Sequence, residues 1–428
     1  MRIAVRRASS WLGRRRRRLI IAAVVLVLVL AAAGAAASWH FSSKVVVVDH
    51  SPWPAEITVD AVPPGQVVLS RSKSTLRPGV YGLDWPDGHY GFDSHDGHAI
   101  IENVLGSNAR TVTRCLRLIR GHLAAGTKVA IDADVYEGNP SQALGLPFAN
   151  VEVPDELGPM PAWLIPGHSH TWAIFVHGIN GGPEVGLRIA PTLHAAGLPT
   201  LLITYREDIG APSSPDGRHH MGLTEWRDLQ AAARYALSHG AQHLVLVGYS
   251  MGGAIIAQFM ERSPLAHSVT GLVLDAPALN WKAILSFNAS EMGLPSFAAL
   301  PVEWMIGARI NANWNSLDAL GHTADFHLPI LLFHGTEDEL VPISTSNAFA
   351  KALPNWVTYY RVPRAGHTEA WNVDPTLYDK RLTAFLSRAL GVPQTTSQSH
   401  ESCAPEAALA PAEPSPGTNT RPRPTHGR

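Results

Sequence analysis

Five short runs that are almost wholly apolar constrain this chain more than any other feature. They are Ala173-Ile-Phe-Val176, Pro199-Thr-Leu-Leu-Ile-Thr204, His243-Leu-Val-Leu-Val247, Gly271-Leu-Val-Leu274 and Pro329-Ile-Leu-Leu-Phe333. A strand with one wet face alternates polar and apolar residues. These runs leave no polar face, so they suit parallel strands buried on both sides. Helical spacing fills a gap between them: Thr224, with Glu225 close behind, opens a helix whose Leu229, Ala232, Ala233 and Leu237 share one face and which ends at Gly240. Strands alternating with helices predict an α/β domain over residues 148–391, built on a mostly parallel, doubly wound sheet.

Residues 39–147 follow a different pattern. Tyr81-Gly-Leu-Asp-Trp85 and His89-Tyr-Gly-Phe92 flank the turn tripeptide Pro86-Asp-Gly88, and Val129-Ala-Ile-Asp-Ala-Asp-Val135 alternates with period two. This is a β-rich module without visible chemistry, either an accessory domain or extra strands on the main sheet. Upstream, residues 1–18 are basic and close on Arg14 to Arg18, and Leu19 to Ala37 is apolar apart from Gly34. About twenty residues at ~1.5 Å each span ~30 Å, the thickness of a hydrocarbon core. Residues 19–38 are therefore expected to anchor the chain in a membrane, with the arginines cytoplasmic and the remainder outside. Ala35-Ala36-Ala37 also resembles a signal-peptide cleavage site, which would release the protein on the same outer side. Residues 392–428 turn to Ser, Thr, Pro and Ala without periodicity and read as a disordered tail.

Charge excludes one class of partner. The formal net charge is -1, yet eight arginines precede residue 19, so the rest of the chain is acidic and no nucleic-acid partner is expected. Two cysteines, Cys115 and Cys403, exclude a disulfide framework, and a single bridge into the tail has little to favour it. His168-Ser-His170 and His219-His220 have no further ligands around them and read as solvated loop histidines. Neither a metal nor a cofactor is expected.

The chemistry-bearing signal is Gly248-Tyr249-Ser250-Met251-Gly252, which follows an apolar strand and precedes the helical run Gly253 to Met260. In that strand–turn–helix setting a serine is held on a tight elbow, and glycines are needed because side chains there would strike the adjoining strand and helix. After the first apolar run comes His177-Gly178-Ile179-Asn180-Gly181-Gly182. Its glycines would let backbone approach a substrate, so the N–H groups of Ile179 and Met251 are the candidate oxyanion donors. His334-Gly335-Thr336-Glu337-Asp338 and Gly366-His367-Thr368-Glu369 each follow a strand, which gathers Ser250, an acid and His367 at one carboxyl edge. His367 would take the proton from Ser250, and Asp338 would orient and stabilise the imidazolium. Asp275, in Leu274-Asp-Ala-Pro277, also ends a strand after Ser250, so chain order alone does not choose the acid.

Taken together, HGIN, GYSMGG, LDAP, HGTEDELVP and AGHTEAW resemble the α/β-hydrolase superfamily, in particular bacterial members grouped with serine aminopeptidases, monoglyceride lipases and prolyl-oligopeptidase-like enzymes. The resemblance covers about Trp172 to Leu390 and not residues 39–147. It implies Asp338 as the acid, leaving Asp275 a turn cap before Pro277. It also implies a lid after the sixth strand, here residues 278–326. Trp281, Phe287, Phe297, Trp304, Met305 and Trp314 would suit an apolar cover over an acyl pocket, or would be ordinary core. The reading is a membrane-anchored, extracytoplasmic serine hydrolase acting on an ester or lipid ester through an acyl-enzyme. A peptidase is its rival, since Glu207-Asp208 or Glu369 could hold a substrate amine. A binding or scaffold protein that keeps the fold without the reaction is the reading from another class, and the complete Ser, Asp, His set weighs against it.

Overall fold

A computed structural model describes residues 2–51, 54–85 and 97–391. The β-rich module is a barrel and not an extension of the main sheet. Strands β1 (Ile57–Ala61), β2 (Gln66–Ser70), β3 (Tyr81–Trp85), β4 (Gly97–Ser107), β5 (Thr111–Arg120) and β6 (Lys128–Asp132) close in the order β1-β2-β5-β4-β3-β6. Every pair is antiparallel, and β1 meets β6 to complete the ring. Alternating residues such as Val67 and Leu69, or Tyr81 and Leu83, fill the interior. Closure removes the free edges that a six-stranded sheet would otherwise expose. The expected turn at Pro86-Asp-Gly88 lies outside the described residues.

Cys115, on β5, is buried and disulfide-bonded, although the sequence gives a single bridge little to favour it. Sequence separation does not report spatial approach, which is what decides pairing. The chain's other cysteine, Cys403, lies outside the described residues.

A short helix, α2 (Pro140–Leu144), capped by Asn139, leads into the second domain. Its sheet comprises β7 (Ala149–Val153), β8 (Met160–Ile165), β9 (Thr171–Val176), β10 (Thr200–Ile203), β11 (His243–Tyr249), β12 (Val269–Asp275), β13 (Ile330–Gly335) and β14 (Val357–Val362). Their spatial order is β14-β13-β12-β11-β9-β10-β8-β7, parallel except where β8 pairs with β10 and with β7. The five apolar runs are strands β9 to β13. Leu244 and Leu246 enter one hydrophobic layer while Val245 and Val247 enter the other, which is why β11 has no polar face. Fully burying each such side chain stabilises the fold by ~1.5–3 kcal/mol.

Helices α4 (Trp226–Ser238), α5 (Met251–Arg262) and α8 (Ile343–Ala352) contribute to the first layer, and α3 (Ala190–Ala195) and α10 (Pro375–Leu390) to the second. Residues 278–326, the segment expected to form a lid, lie between β12 and β13 and carry α6 (Trp281–Glu291) and α7 (Leu300–Ile310), and α9 (Ala370–Val373) follows β14. The chain passes from β9 outward to β10, then back across β9 to β11. This reversal opens a crevice at the carboxyl ends of β9 and β11, the place where open α/β sheets bind ligands.

The N-terminal helix α1 (Arg2–Val46) is unbroken and outlasts the expected span of 19–38. Its large apolar side chains from Leu19 to Leu30 are exposed, and by length and composition it could cross a membrane. Its last turns instead join the globular part. Ser38, Ser42 and Val46, four residues apart along one face, are buried.

Candidate active site

The serine elbow forms because nothing larger than glycine fits around it. A Cβ on Gly252 would lie 2.1 Å from the Val176 carbonyl oxygen, so α5 starts hard against the end of β9. Ser250 itself has φ 52° and ψ -118°, a conformation an L-residue adopts only under constraint from its surroundings. Its Oγ lies 2.8 Å from His367 Nε2, and His367 Nδ1 lies 2.8 Å from Asp338 Oδ2. A carboxylate only accepts, so Nδ1 carries the imidazole proton and Nε2 accepts from the Ser250 hydroxyl. The structure thus brings Ser250, His367 and Asp338 into one hydrogen-bonded row.

Asp338 is held rigidly. Its Oδ1 accepts from the N–H groups of Leu340 and Val341, both at 2.9 Å, and His334 Nε2 stands 3.3 Å from Oδ2. Burial opposes its ionised form. His367 and the hydrogen bond from His334 outweigh burial and hold the carboxyl well below the usual range.

Asp275 corrects the sequence reading. It is fully buried, and neither of its carboxyl oxygens accepts a hydrogen bond among the described residues, so its side chain caps no turn. Burial first, and then the neighbouring Asp338 charge, push its carboxyl up to about 6, against the pull of Arg188, His334 and His367. A raised acid pKa favours the protonated folded state. Its contribution to stability is therefore full below about pH 4, falls as pH rises to about 6, and stays lost above that. Asp275→Asn removes the dependence. The variant is expected to match wild type near pH 4 and to exceed it by about 2–3 kcal/mol at pH 8. Urea unfolding at both pH values checks this, and a stability difference that does not change with pH would refute it.

The loop after β9 lies against the elbow. A Cβ on Gly178 would stand 3.1 Å from Ser250 Cβ and 3.6 Å from its Oγ. The backbone that leads into the Ile179 amide therefore packs against the nucleophile candidate. Met251, the first residue of α5, contributes a helix-start N–H. His177 is buried behind the loop as a support. Its Nδ1 faces the Gly178 carbonyl and its Nε2 faces Asp208, each at 2.8 Å, and the ring stacks on Tyr205. Both partners only accept, so both ring nitrogens donate. Burial disfavours that cation, but the charge of Asp208 prevails and raises the His177 pKa. Tyr205 Oη also donates to the Gly178 carbonyl, at 2.7 Å, which fixes the peptide ahead of Ile179.

Several supporting residues escape a sequence reading. Glu369, in AGHTEAW, accepts from Arg77, from Tyr81 Oη and from the Gly366 N–H, so the barrel grips the loop that carries His367. Arg114, buried on β5, donates to the carbonyls of Glu102, Arg77 and Gly79, and the Val80 N–H bonds to the Asn372 carbonyl. Arg188 ties the same loop through Thr368 and Asn372. These partners lie far apart in sequence, and only the polar residues themselves hinted at them. His219 is a further correction: it is fully buried and 2.8 Å from Asn180 Oδ1, while His168 and His170 are exposed as expected. Asp84, His98 and Glu137 approach within 4.8 Å in the barrel, but His98 already pairs with Asp84 at 2.6 Å and Arg120 with Glu137. That arrangement reads as an ion-paired cluster.

A mostly parallel sheet, a serine on a strained elbow after β11, and an Asp–His pair beyond β13 and β14 define a serine hydrolase of the α/β-hydrolase superfamily. Comparison with known proteins agrees: residues 210–392 match the Prolyl oligopeptidase family, and residues 58–132, which are the barrel, match a domain of unknown function (DUF8805). Over 227 residues the chain is 26% identical to an uncharacterized protein of Mycobacterium tuberculosis, covering 51% of this chain and 70% of that one. Among solved structures it is similar to the Pyrococcus furiosus esterase Pf2001, with 19% identity and a TM-score of 0.49 over 60% of this chain and 96% of that one. It is also similar to a Mycobacterium tuberculosis puromycin-hydrolyzing peptidase, with 16% identity and a TM-score of 0.47 over 80% of this chain and 56% of that one.

Proposed function

We propose that this protein cleaves an ester or lipid ester through an acyl-enzyme, on the outer face of a membrane in which α1 is the anchor. The observation that carries the reading is the row Asp338–His367–Ser250 on a strained elbow. Ser250 Oγ attacks the carbonyl carbon and His367 Nε2 takes its proton. The N–H groups of Ile179 and Met251 hold the developing oxyanion. His367 then protonates the leaving alcohol, and water activated by the same imidazole releases the acid.

The acids that a peptidase of amine-bearing substrates would need already accept hydrogen bonds from the protein, with Asp208 Oδ1 alone left without a partner among the described residues. Glu207 accepts from the Ser214 N–H and hydroxyl, Asp208 from His177 and the Tyr205 N–H, and Glu369 from Arg77 and Tyr81. This favours an ester. Peptide cleavage stays the second reading because residues 210–392 match the Prolyl oligopeptidase family. The deciding assay offers acyl esters of graded length and aminoacyl amides to intact and lysed spheroplasts, with one membrane-impermeant ester among them. Ester turnover is expected to exceed amide turnover, and intact cells are expected to cleave the impermeant ester as fast as lysed ones. Amides cleaved in preference would establish the peptidase, and cleavage only after lysis would reverse the orientation.

A further inference from the structure

The described residues hold one surface that the hydrolase reading does not use, the outer side of the lid. Phe297 and Trp304 are 68% and 71% exposed, and Met292, Leu294 and Leu300 are exposed beside them in sequence. No charged residue occurs from Met292 to Val302. Leu300 and Trp304 stand four residues apart and therefore share one face of α7. Large apolar side chains clustered in water, with Glu303 the one charged residue from Met292 to Trp304, mark a surface that something covers.

The structure also indicates what covers it. Helix α7 packs on the end of α1 where that helix leaves its apolar stretch. The Arg309 guanidinium lies over the Trp39 ring, 4.3 Å from its centroid, and Nη1 donates to Ser42 Oγ and Ser43 Oγ at 2.9 and 2.8 Å. Arg218 bonds the Arg309 carbonyl, and the Val46 carbonyl accepts from the His219 N–H, so the junction is rigid. At ~1.5 Å per residue, Trp304 and Leu300 lie only ~7 and ~14 Å along α7 from that clamp. Trp39, next to the apolar stretch, is of the residue type that sits at a membrane–water interface.

We propose that the lid is a membrane-contact surface, with Phe297, Leu300 and Trp304 seated in the outer interface of the same bilayer that α1 crosses. The lid then stands where a lipid substrate would leave the bilayer. The proposal rests on α1 being a retained anchor, but it does not require turnover.

The test uses the full chain in phosphatidylcholine vesicles, with an environment-sensitive fluorophore at Phe297→Cys and, as reference, at Lys351→Cys, an exposed position of α8. Wild type carried through the same labelling serves as the blank. Doxyl-labelled phosphatidylcholine is expected to quench the lid probe about twofold or more and to leave the reference unchanged. A lid probe with water-like emission and no quenching would overturn the proposal, as would a chain that fails to float with the vesicles. In a second arm, F297S/W304S is expected to lower turnover of a vesicle-embedded long-chain ester about tenfold while a soluble short-chain ester changes less than about twofold. Equal rates to wild type on both substrates would overturn the proposal. Quenching without turnover of any ester would instead refute the ester-hydrolase reading and uphold this one.

Discussion

Ser250→Ala is expected to lower kcat by about 10⁶, the loss seen when the nucleophile of a serine–histidine–aspartate set is removed. The Gly178 backbone packs against the hydroxyl, since a Cβ there would stand 3.6 Å from Oγ. The fold should be largely indifferent. Alanine meets the same constraint at φ 52° as serine does, and the substitution gives up one hydrogen bond, to His367, worth ~0.5–1.5 kcal/mol. The thermal midpoint should therefore shift by no more than a few degrees. Kinetics and calorimetry on the same preparation separate loss of chemistry from loss of structure, and an unfolded variant would make the rate uninterpretable.

Asp338→Asn is expected to lower kcat by about 10⁴, and the local hydrogen bonds say why. The N–H groups of Leu340 and Val341 both point at Oδ1, so an asparagine must place its carbonyl oxygen there. Its amide nitrogen then faces His367 Nδ1 and donates to it. The imidazole proton is forced onto Nε2, which can no longer accept from Ser250. Asp275→Asn should keep kcat near wild type, since the Asp275 carboxyl makes no hydrogen bond to His367 or to any other described residue. An active Asp338→Asn enzyme beside an inactive Asp275→Asn one would exchange the two roles.

What the sequence revealed follows from where the information lies. Strands β9 to β13 were legible because burial on both faces leaves an unmistakably apolar run. Ser250, Asp338 and His367 were legible because each directly follows a strand, so local order places all three at one edge. The barrel's closure was not legible, since it depends on β1 meeting β6 across the whole module. Nor was its grip on the His367 loop, where Arg77 reaches Glu369 across most of the chain. Asp275 misled because a strand-end aspartate before proline has a familiar local role, whereas its lack of partners is a property of the packed core. Phe297 and Trp304 look in sequence like core or pocket aromatics, and only the folded lid turns them outward.

The central claim is that Ser250 is a nucleophile activated by His367. Fluorophosphonate labelling of the full chain, followed by peptide mapping by mass spectrometry, tests it most directly. One adduct on Ser250, absent from folded Ser250→Ala, is the expected result. An adduct on any other residue, or undiminished labelling of Ser250→Ala, would contradict it.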